Sequence, residues 1–115
     1  MKSYTTIEQS RKLAETLPLD SADMSYIGEY NALTVDYLSA KKEFDTTKEV
    51  DIFPCWSLAV LLDVLPDCPD LSKHTDNKWD ITTYPNGVHT CLMAFDNPVD
   101  ACVAMIENLN ELKML

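Results

Sequence analysis

Glycine is scarce in this sequence, since only Gly28 and Gly87 occur among its 115 residues. The P-loop and the Gly-x-Gly-x-x-Gly turn both need closely spaced glycines, so nucleotide binding by either loop is excluded. Basic residues are also few: nine Lys and Arg stand against 19 Asp and Glu, which gives a formal net charge of −10. We therefore expect no direct contact with nucleic acid or with an anionic membrane, because both need clustered basic side chains.

Long hydrophobic runs are missing as well. The longest apolar stretch, residues 52–65, is interrupted by Pro54, Ser57 and Asp63, whereas a membrane span needs about 20 apolar residues. No apolar segment of a secretory signal follows Met1. The four cysteines form no Cys-x-x-Cys pair, and reduced thiols in a cytoplasmic protein are the expected state.

The composition that remains favours one packed domain over residues 1–115. Hydrophobic residues make up 46% of the chain, which suffices for a core at this length. We predict an α+β fold in which a small antiparallel sheet of about four strands packs with three helices.

Three segments carry helical patterns. The first is residues 6–17, where Thr5 and Glu8 have capping-box spacing. The second is residues 55–65, which lie between two prolines and are apolar nearly all round, so a central position in the domain is expected. The third is residues 98–113, which follow Asn97 and place their apolar side chains on one side.

The strand predictions rest on β-branched and aromatic runs. Residues 33–38 and 49–53 are expected to pair as a hairpin with a long connection. Residues 79–84 and 88–95 flank a Pro-Asn-Gly turn and form a second predicted hairpin. Residues 66–78 are predicted to be a loop.

Three stretches give the chain a resemblance. They are LPLDSADMSY (17–26), DIFPCWSLAVLLDVLP (51–66) and NPVDACVAMIENL (97–109), of which the P-x-W-S-L-x-x-L-L-x-x-L-P segment is the distinctive one. Together they resemble a family of short uncharacterised proteins from gut anaerobic bacteria and their phages or mobile elements. Similar proteins carry no assigned activity. In many of them Ala stands at the position of Cys55, so the resemblance argues against a catalytic role for this thiol.

A thiol site is the sharpest catalytic candidate. Cys55 is predicted in the first turn of a helix, where the peptide dipoles favour a thiolate. His89 and Asp96 follow on and after a predicted strand. The three would serve as nucleophile, general base and orienting carboxylate. The favoured interpretation is nevertheless that Cys55 packs in the core, because an isolated Cys and His in a sequence rarely meet in space.

Metal and cofactor sites are not predicted. Cys68, His74, Asp76 and His89 are suitable ligand types for zinc, but their spacing matches no zinc motif. The Asp-rich segment from residue 76 lacks the Gly and the distal Glu of a calcium loop. We expect a solvated loop here.

The acidic residues concentrate in the second half of the chain and suggest an interaction surface. Its candidate residues are Asp67, Asp70, Asp76, Asp80, Trp79 and Tyr84. In the extreme case this face would act as an acidic decoy for a nucleic-acid-binding protein. A solubility surface is the simpler interpretation of the charge. Formation of a homodimer is a further alternative, because the C-terminal residues add apolar surface.

The leading functional interpretation is a small, acidic, non-enzymatic protein that binds an unknown protein partner. An accessory role in a mobile element or phage fits the resemblance. The alternatives are a thiol-dependent hydrolase or transferase and the acidic decoy.

Overall fold

The computed structural model describes residues 3–28, 31–44, 51–66 and 69–115. Within these ranges the chain forms four α-helices and six strands. In chain order they are α1 (Ile7–Leu13), β1 (Met24–Ile27), β2 (Asn31–Leu33), α2 (Tyr37–Phe44), β3 (Ile52–Cys55), α3 (Leu58–Val64), β4 (Asp70–Lys73), β5 (Trp79–Thr83), β6 (Thr90–Phe95) and α4 (Pro98–Glu111).

The α+β class is confirmed, but the strands form two sheets of three strands where one sheet of about four was predicted, and there are four helices where three were predicted, α2 being the additional one. The chain also divides into two compact units, and the division falls within α3. We call residues 4–60 the N-terminal unit and residues 61–115, with which Ser3 groups, the C-terminal unit.

The sheet of the N-terminal unit has the order β2-β1-β3, and all its pairs are antiparallel. Its first helix begins one residue later than predicted, because Thr6 forms the capping box with Gln9, and it ends at Leu13 instead of residue 17. The Thr5–Glu8 pairing was therefore wrong. The reason is that Thr5 is fully buried and its hydroxyl is used within the core.

The strand predicted over residues 33–38 was wrong beyond Leu33, because Asp36 starts a helix there. Its side chain accepts a hydrogen bond from the Ser39 backbone N–H at 3.1 Å, as an N-cap residue does. This hydrogen bond lowers the pKa of Asp36. The predicted hairpin partner, residues 49–53, is described only from Asp51 onward. Strand β3 pairs there with β1, since Tyr26 lies opposite Phe53.

The helix predicted over residues 55–65 is shorter, and Cys55 does not belong to it. Pro54 continues the strand because β3 lies at the sheet edge, where a missing N–H is tolerated. Helix α3 starts after Ser57, whose hydroxyl accepts a hydrogen bond from the Val60 N–H at 3.3 Å. Within its bounds only Leu61 is buried, so the expected burial on several sides was wrong.

The C-terminal unit contains a sheet of order β4-β5-β6, again antiparallel. The predicted hairpin around Pro85–Gly87 is confirmed by the pairing of β5 with β6. Strand β4 lies in the segment predicted as loop, which was wrong. Helix α4 is confirmed, and the Asn97 side chain caps it by accepting from the Asp100 N–H at 2.9 Å. It packs against the two strands β5 and β6.

Candidate functional site

Cys55 lies in a buried polar network of the N-terminal unit. Its side chain has no exposed surface. The Sγ atom lies 3.6 Å from Thr5 Oγ1 and 3.7 Å from the Thr5 carbonyl oxygen, to which the thiol donates. The Tyr26 hydroxyl donates to the same carbonyl at 2.6 Å. The thiol therefore sits in a closed set of hydroxyl and carbonyl groups.

Thr5 is the centre of this network. Its hydroxyl oxygen accepts from the Trp56 backbone N–H at 3.2 Å and lies 2.8 Å from the buried Ser10 hydroxyl. Its own backbone N–H donates to the Trp56 carbonyl at 3.0 Å. The Trp56 ring is also fully buried, and its Nε1 donates to the Ser21 hydroxyl at 3.0 Å. Each of these polar groups has a partner, which is what buried polar atoms require.

Burial governs the acidity of the network. It raises the pKa of the Cys55 thiol above its ordinary value, and hydrogen bonding by Thr5 only partly opposes this. Burial, together with the neighbouring Cys55, raises the pKa of Tyr26 to about 12. Both groups are therefore neutral near pH 7. This is the reverse of the low pKa that activates a cysteine nucleophile.

The two other members of the predicted thiol site have different partners. His89 is exposed and makes an edge-to-face contact with Tyr84, at a ring-centroid distance of 5.4 Å. Asp96 follows β6 and pairs with the Lys78 ammonium group, which lowers the pKa of its carboxyl. Both belong to the C-terminal unit, whereas Cys55 belongs to the N-terminal unit.

The C-terminal sheet has one buried face and one open face. Ile81 and Thr83 of β5 point to the buried side and have no exposed surface. Residues directly opposite each other in a sheet share a face, and neighbours along a strand alternate between the faces. The register therefore places six residues together on the other side, which we call the open face: Asp70, Ser72, Asp80, Thr82, Cys91 and Met93.

Exposed sulfur-containing side chains stand on the part of this face formed by β6. Met93 is 67% exposed, the largest fraction among the large hydrophobic side chains of the described residues. Cys91 is a free, exposed thiol. An exposed Met is an adaptable apolar contact, because its side chain is flexible and polarisable.

A turn between β4 and β5 carries a group of charges beside Met93. The His74 ring Nε2 pairs with the Asp80 carboxylate, and the Asp76 carboxylate accepts from the Lys78 backbone N–H at 3.1 Å. A cleft of about 350 Å³ opens here. Its lining residues are His74, Thr75, Asp76, Lys78, Asp80, Met93 and Ala94.

A β-bulge shapes the same place. The pairing of Trp79 with Phe95 and of Ile81 with Leu92 leaves two β6 residues opposite Asp80. Ala94, one of the two, has a φ of +68°, in the left-handed region that favours glycine. Its N–H donates to Asp80 Oδ1 at 3.1 Å, and this hydrogen bond is the main reason why the pKa of Asp80 is lowered. Asp80 thus ties the bulge to the His74 ring.

The predicted interface residues are distributed unevenly over this unit. Asp70 is exposed on the open face, and Asp76 is exposed in the turn. Asp80 is half-buried with two hydrogen-bonding partners. Trp79 is half-buried and carries the Lys73 ammonium group 5.9 Å from its ring centroid, while Tyr84 is 43% exposed. Asp67 lies outside the described residues.

The described residues form neither a metal-ligand set nor a helix that could span a membrane. Within the described ranges, no three His, Cys, Asp or Glu residues are grouped so that they could hold a metal ion. Cys68, a possible zinc ligand by residue type, lies outside these ranges. No helix in the same ranges has both the length and the apolar composition that crossing a membrane requires.

Sequence reasoning missed Met93, Ala94 and the His74–Asp80 pair. Strand β4 was not predicted, because its charged and polar residues are typical of a loop. The sequence feature that could have revealed this strand is the tetrapeptide Thr75-Asp76-Asn77-Lys78, which lies between two runs of strand length. Asp and Asn favour tight turns, so the tetrapeptide is typical of a turn between two strands. Asn77 indeed has a φ of +63°. The β-bulge could not be predicted in the same way, because Ala94 occupies a left-handed position where glycine would have been the sequence signal.

Comparison of the chain with protein-family models, with curated proteins and with solved structures gave no match.

Proposed function

We propose that this protein is a non-enzymatic binding protein that contacts a protein partner through the open face of its C-terminal sheet. The observation that carries the proposal is the exposed Met93 beside the cleft formed by the β4–β5 turn. Protein contacts often centre on an adaptable apolar side chain ringed by polar groups. Met93 is such a side chain, with the pairs His74–Asp80 and Lys78–Asp96 beside it.

The state of Cys55 favours a binding role over thiol chemistry. An attacking cysteine needs access to substrate and a lowered pKa. Cys55 is fully buried with a raised pKa, and its hydrogen-bonding neighbours among the described residues are Thr5 and Tyr26. The polar network around it is accounted for by packing alone.

The acidic decoy receives less support than a specific interface. A decoy for a nucleic-acid-binding protein needs carboxylates that are free to replace phosphates. Asp80 is held by His74 and Ala94, and Asp76 accepts from the Lys78 N–H in its own turn. These hydrogen bonds fix the acids in a local geometry, whereas a decoy would need a row of unengaged carboxylates along the surface. The accessory role in a mobile element or phage rests on the sequence resemblance.

Site-resolved crosslinking tests the proposed function. The photoreactive residue p-benzoylphenylalanine would replace Met93, and in a matched variant it would replace Leu38, which is 50% exposed on α2. Both proteins would be irradiated in lysate of the host organism, and the products identified by mass spectrometry. We expect one partner protein that crosslinks through position 93 and is displaced by excess unlabelled protein.

The Leu38 variant distinguishes a specific surface from general stickiness. It carries the same aromatic ketone at a comparably exposed position of the N-terminal unit. A partner captured through position 38 but not through position 93 would contradict the proposal, and so would identical products from both positions.

A further inference from the structure

We infer that the outer edge of β6 takes up an extended basic segment of the partner as an additional strand. This inference rests on the proposed function and specifies the partner's chemistry. It combines three features of the C-terminal unit: an unpaired strand edge, a layer of side chains that a new strand would extend, and acidic groups beside that edge.

The strand edge is the first feature. In the described part of the chain, β6 pairs with β5 alone and forms one margin of the sheet. Charged side chains and prolines commonly protect a strand edge from further pairing. Residues Thr90–Phe95 of β6 include neither. The opposite margin, β4, carries Asp70 and Lys73. The bulge at Ala94 leaves residues 90–93 as the regular part of the edge.

The side chains of β6 indicate what kind of strand would fit. Leu92 lies opposite the buried Ile81, and it is itself only half-buried. A small apolar residue of a new strand would therefore extend the buried layer beside Leu92. The alternate residues would stand on the open face beside Met93. A long aliphatic stem, as in Lys or Arg, would pack on its thioether side chain.

Charge selects a basic segment. Asp96 lies just beyond the end of β6 with its side chain 78% exposed, and Asp76 and Asp80 line the cleft beside Met93. The Lys78 ammonium group pairs with Asp96, and the His74 ring is hydrogen-bonded to Asp80. The whole chain carries a net charge of −10, so a cationic segment is attracted and a second copy of this chain is repelled.

Synthetic peptides provide the test. The probe is a fluorescein-labelled peptide of four Lys-Val repeats, and the matched control has four Glu-Val repeats. We expect the Lys-Val peptide to bind saturably by fluorescence anisotropy and the Glu-Val peptide not to bind. Raising NaCl from about 50 mM to about 500 mM should weaken binding by about tenfold or more. Amide shifts in ¹⁵N-labelled protein should centre on residues 90–96 and on the turn 74–78.

Backbone methylation separates strand addition from simple charge attraction. Two further Lys-Val peptides carry N-methyl groups on every second residue, one in each frame. Strand addition needs the N–H groups on one side of the peptide, so at least one frame should lose affinity by about tenfold or more. Unchanged affinity for both methylated peptides would overturn the inference.

A charge variant locates the site. Met93→Lys should weaken Lys-Val binding about tenfold, because it places a cation where the basic segment binds. Leu38→Lys adds the same charge to the N-terminal unit and should change the affinity less than about twofold. Equal effects of the two substitutions would overturn the inference. So would a free chain that dimerises in sedimentation experiments and becomes monomeric with Met93→Lys, because a second copy would then occupy the edge.

The two proposals fail differently. A partner that crosslinks through position 93, together with absent Lys-Val binding, overturns strand addition and leaves the proposed function standing. Absence of any crosslink through position 93 removes both.

Discussion

The two units of this chain use their polar residues in opposite ways. In the N-terminal unit, hydroxyl, thiol and indole groups point inward and satisfy one another around Thr5. In the C-terminal unit, the charged and apolar groups of interest stand on an exposed turn and an open sheet face. A chemically rich cluster is therefore a poor guide to function when its burial is ignored. The unit that holds the buried network around Cys55 is the one that we interpret as scaffold.

The largest expected effect concerns the two tryptophans. Trp56 is fully buried in the N-terminal unit, and Trp79 is half-buried in the C-terminal unit. Trp56→Ala should lower the free energy of unfolding by about 3–5 kcal/mol, since it removes a large buried ring and leaves a cavity. Trp79→Ala should cost less than about 2 kcal/mol. Urea denaturation of both variants measures the difference, and equal losses would contradict the contrast between the units.

Effects of intermediate size are expected for two buried threonines, one in each unit. Thr5→Val leaves the Trp56 N–H and the Ser10 hydroxyl short of a partner, at a cost of about 1–3 kcal/mol. Thr83 is equally buried, and its Oγ1 is the one buried side-chain oxygen or nitrogen in the described residues without a hydrogen-bond partner. Thr83→Val should therefore stabilise the protein, by about 1 kcal/mol.

Thermal or urea unfolding of the two valine variants checks this opposition of signs. The substitutions are chemically identical, so each serves as the control for the other. Destabilisation by Thr83→Val of the same size as by Thr5→Val would refute the role assigned to the Thr5 hydroxyl.

The smallest expected effect concerns two left-handed backbone positions. Gly28 in the N-terminal unit has a φ of +68°, and a Cβ built there would meet no atom within 4 Å. Gly28→Ala should therefore cost about 1 kcal/mol through backbone conformation alone. Ala94 in the C-terminal unit has the same φ of +68°. Ala94→Gly should gain up to about 1 kcal/mol, reduced by the greater freedom of glycine in the unfolded chain.

Paired denaturation curves of these two variants measure both changes. A loss of stability on Ala94→Gly larger than that on Gly28→Ala would show that Ala94 is not strained. The left-handed backbone conformation of the bulge would then carry no energetic cost.

Strong local signals allowed parts of the fold to be predicted. Asn97-Pro98 and the spaced apolar residues after it define α4, and Pro85-Asn86-Gly87 defines the turn between β5 and β6. The errors arose where a single capping hydrogen bond, or the position of a strand within its sheet, decided the local structure. Asp36 turned an apparent strand into a helix through one hydrogen bond, and Pro54 was accommodated because β3 is an edge strand. Neither edge position nor burial can be seen in a single sequence.

The candidate site was predicted only at its acidic margin. Asp70, Asp76 and Asp80 were recognised as surface residues, because carboxylates are rarely buried without partners. Met93 escaped notice since an apolar residue in a strand is normally assigned to the core. Its exposure depends on the register with β5, which places it on the same face as Asp80. Cys55 was given a helical position that it does not have, so its predicted activation had no physical basis.

Site-resolved alkylation tests the central contrast most directly. Native protein would be treated with iodoacetamide between pH 5.5 and 9, and each cysteine would be read by mass spectrometry. We predict that Cys91 on the open face reacts readily, because its thiol is free and exposed. Cys55 and Cys102 have no exposed surface, and burial raises the pKa of Cys102 to about 12. Both should stay unmodified until the protein unfolds. Rapid alkylation of native Cys55 with a midpoint well below the ordinary thiol value of about 8.5 would contradict the account, because it would reveal an accessible thiolate in the unit that we interpret as scaffold.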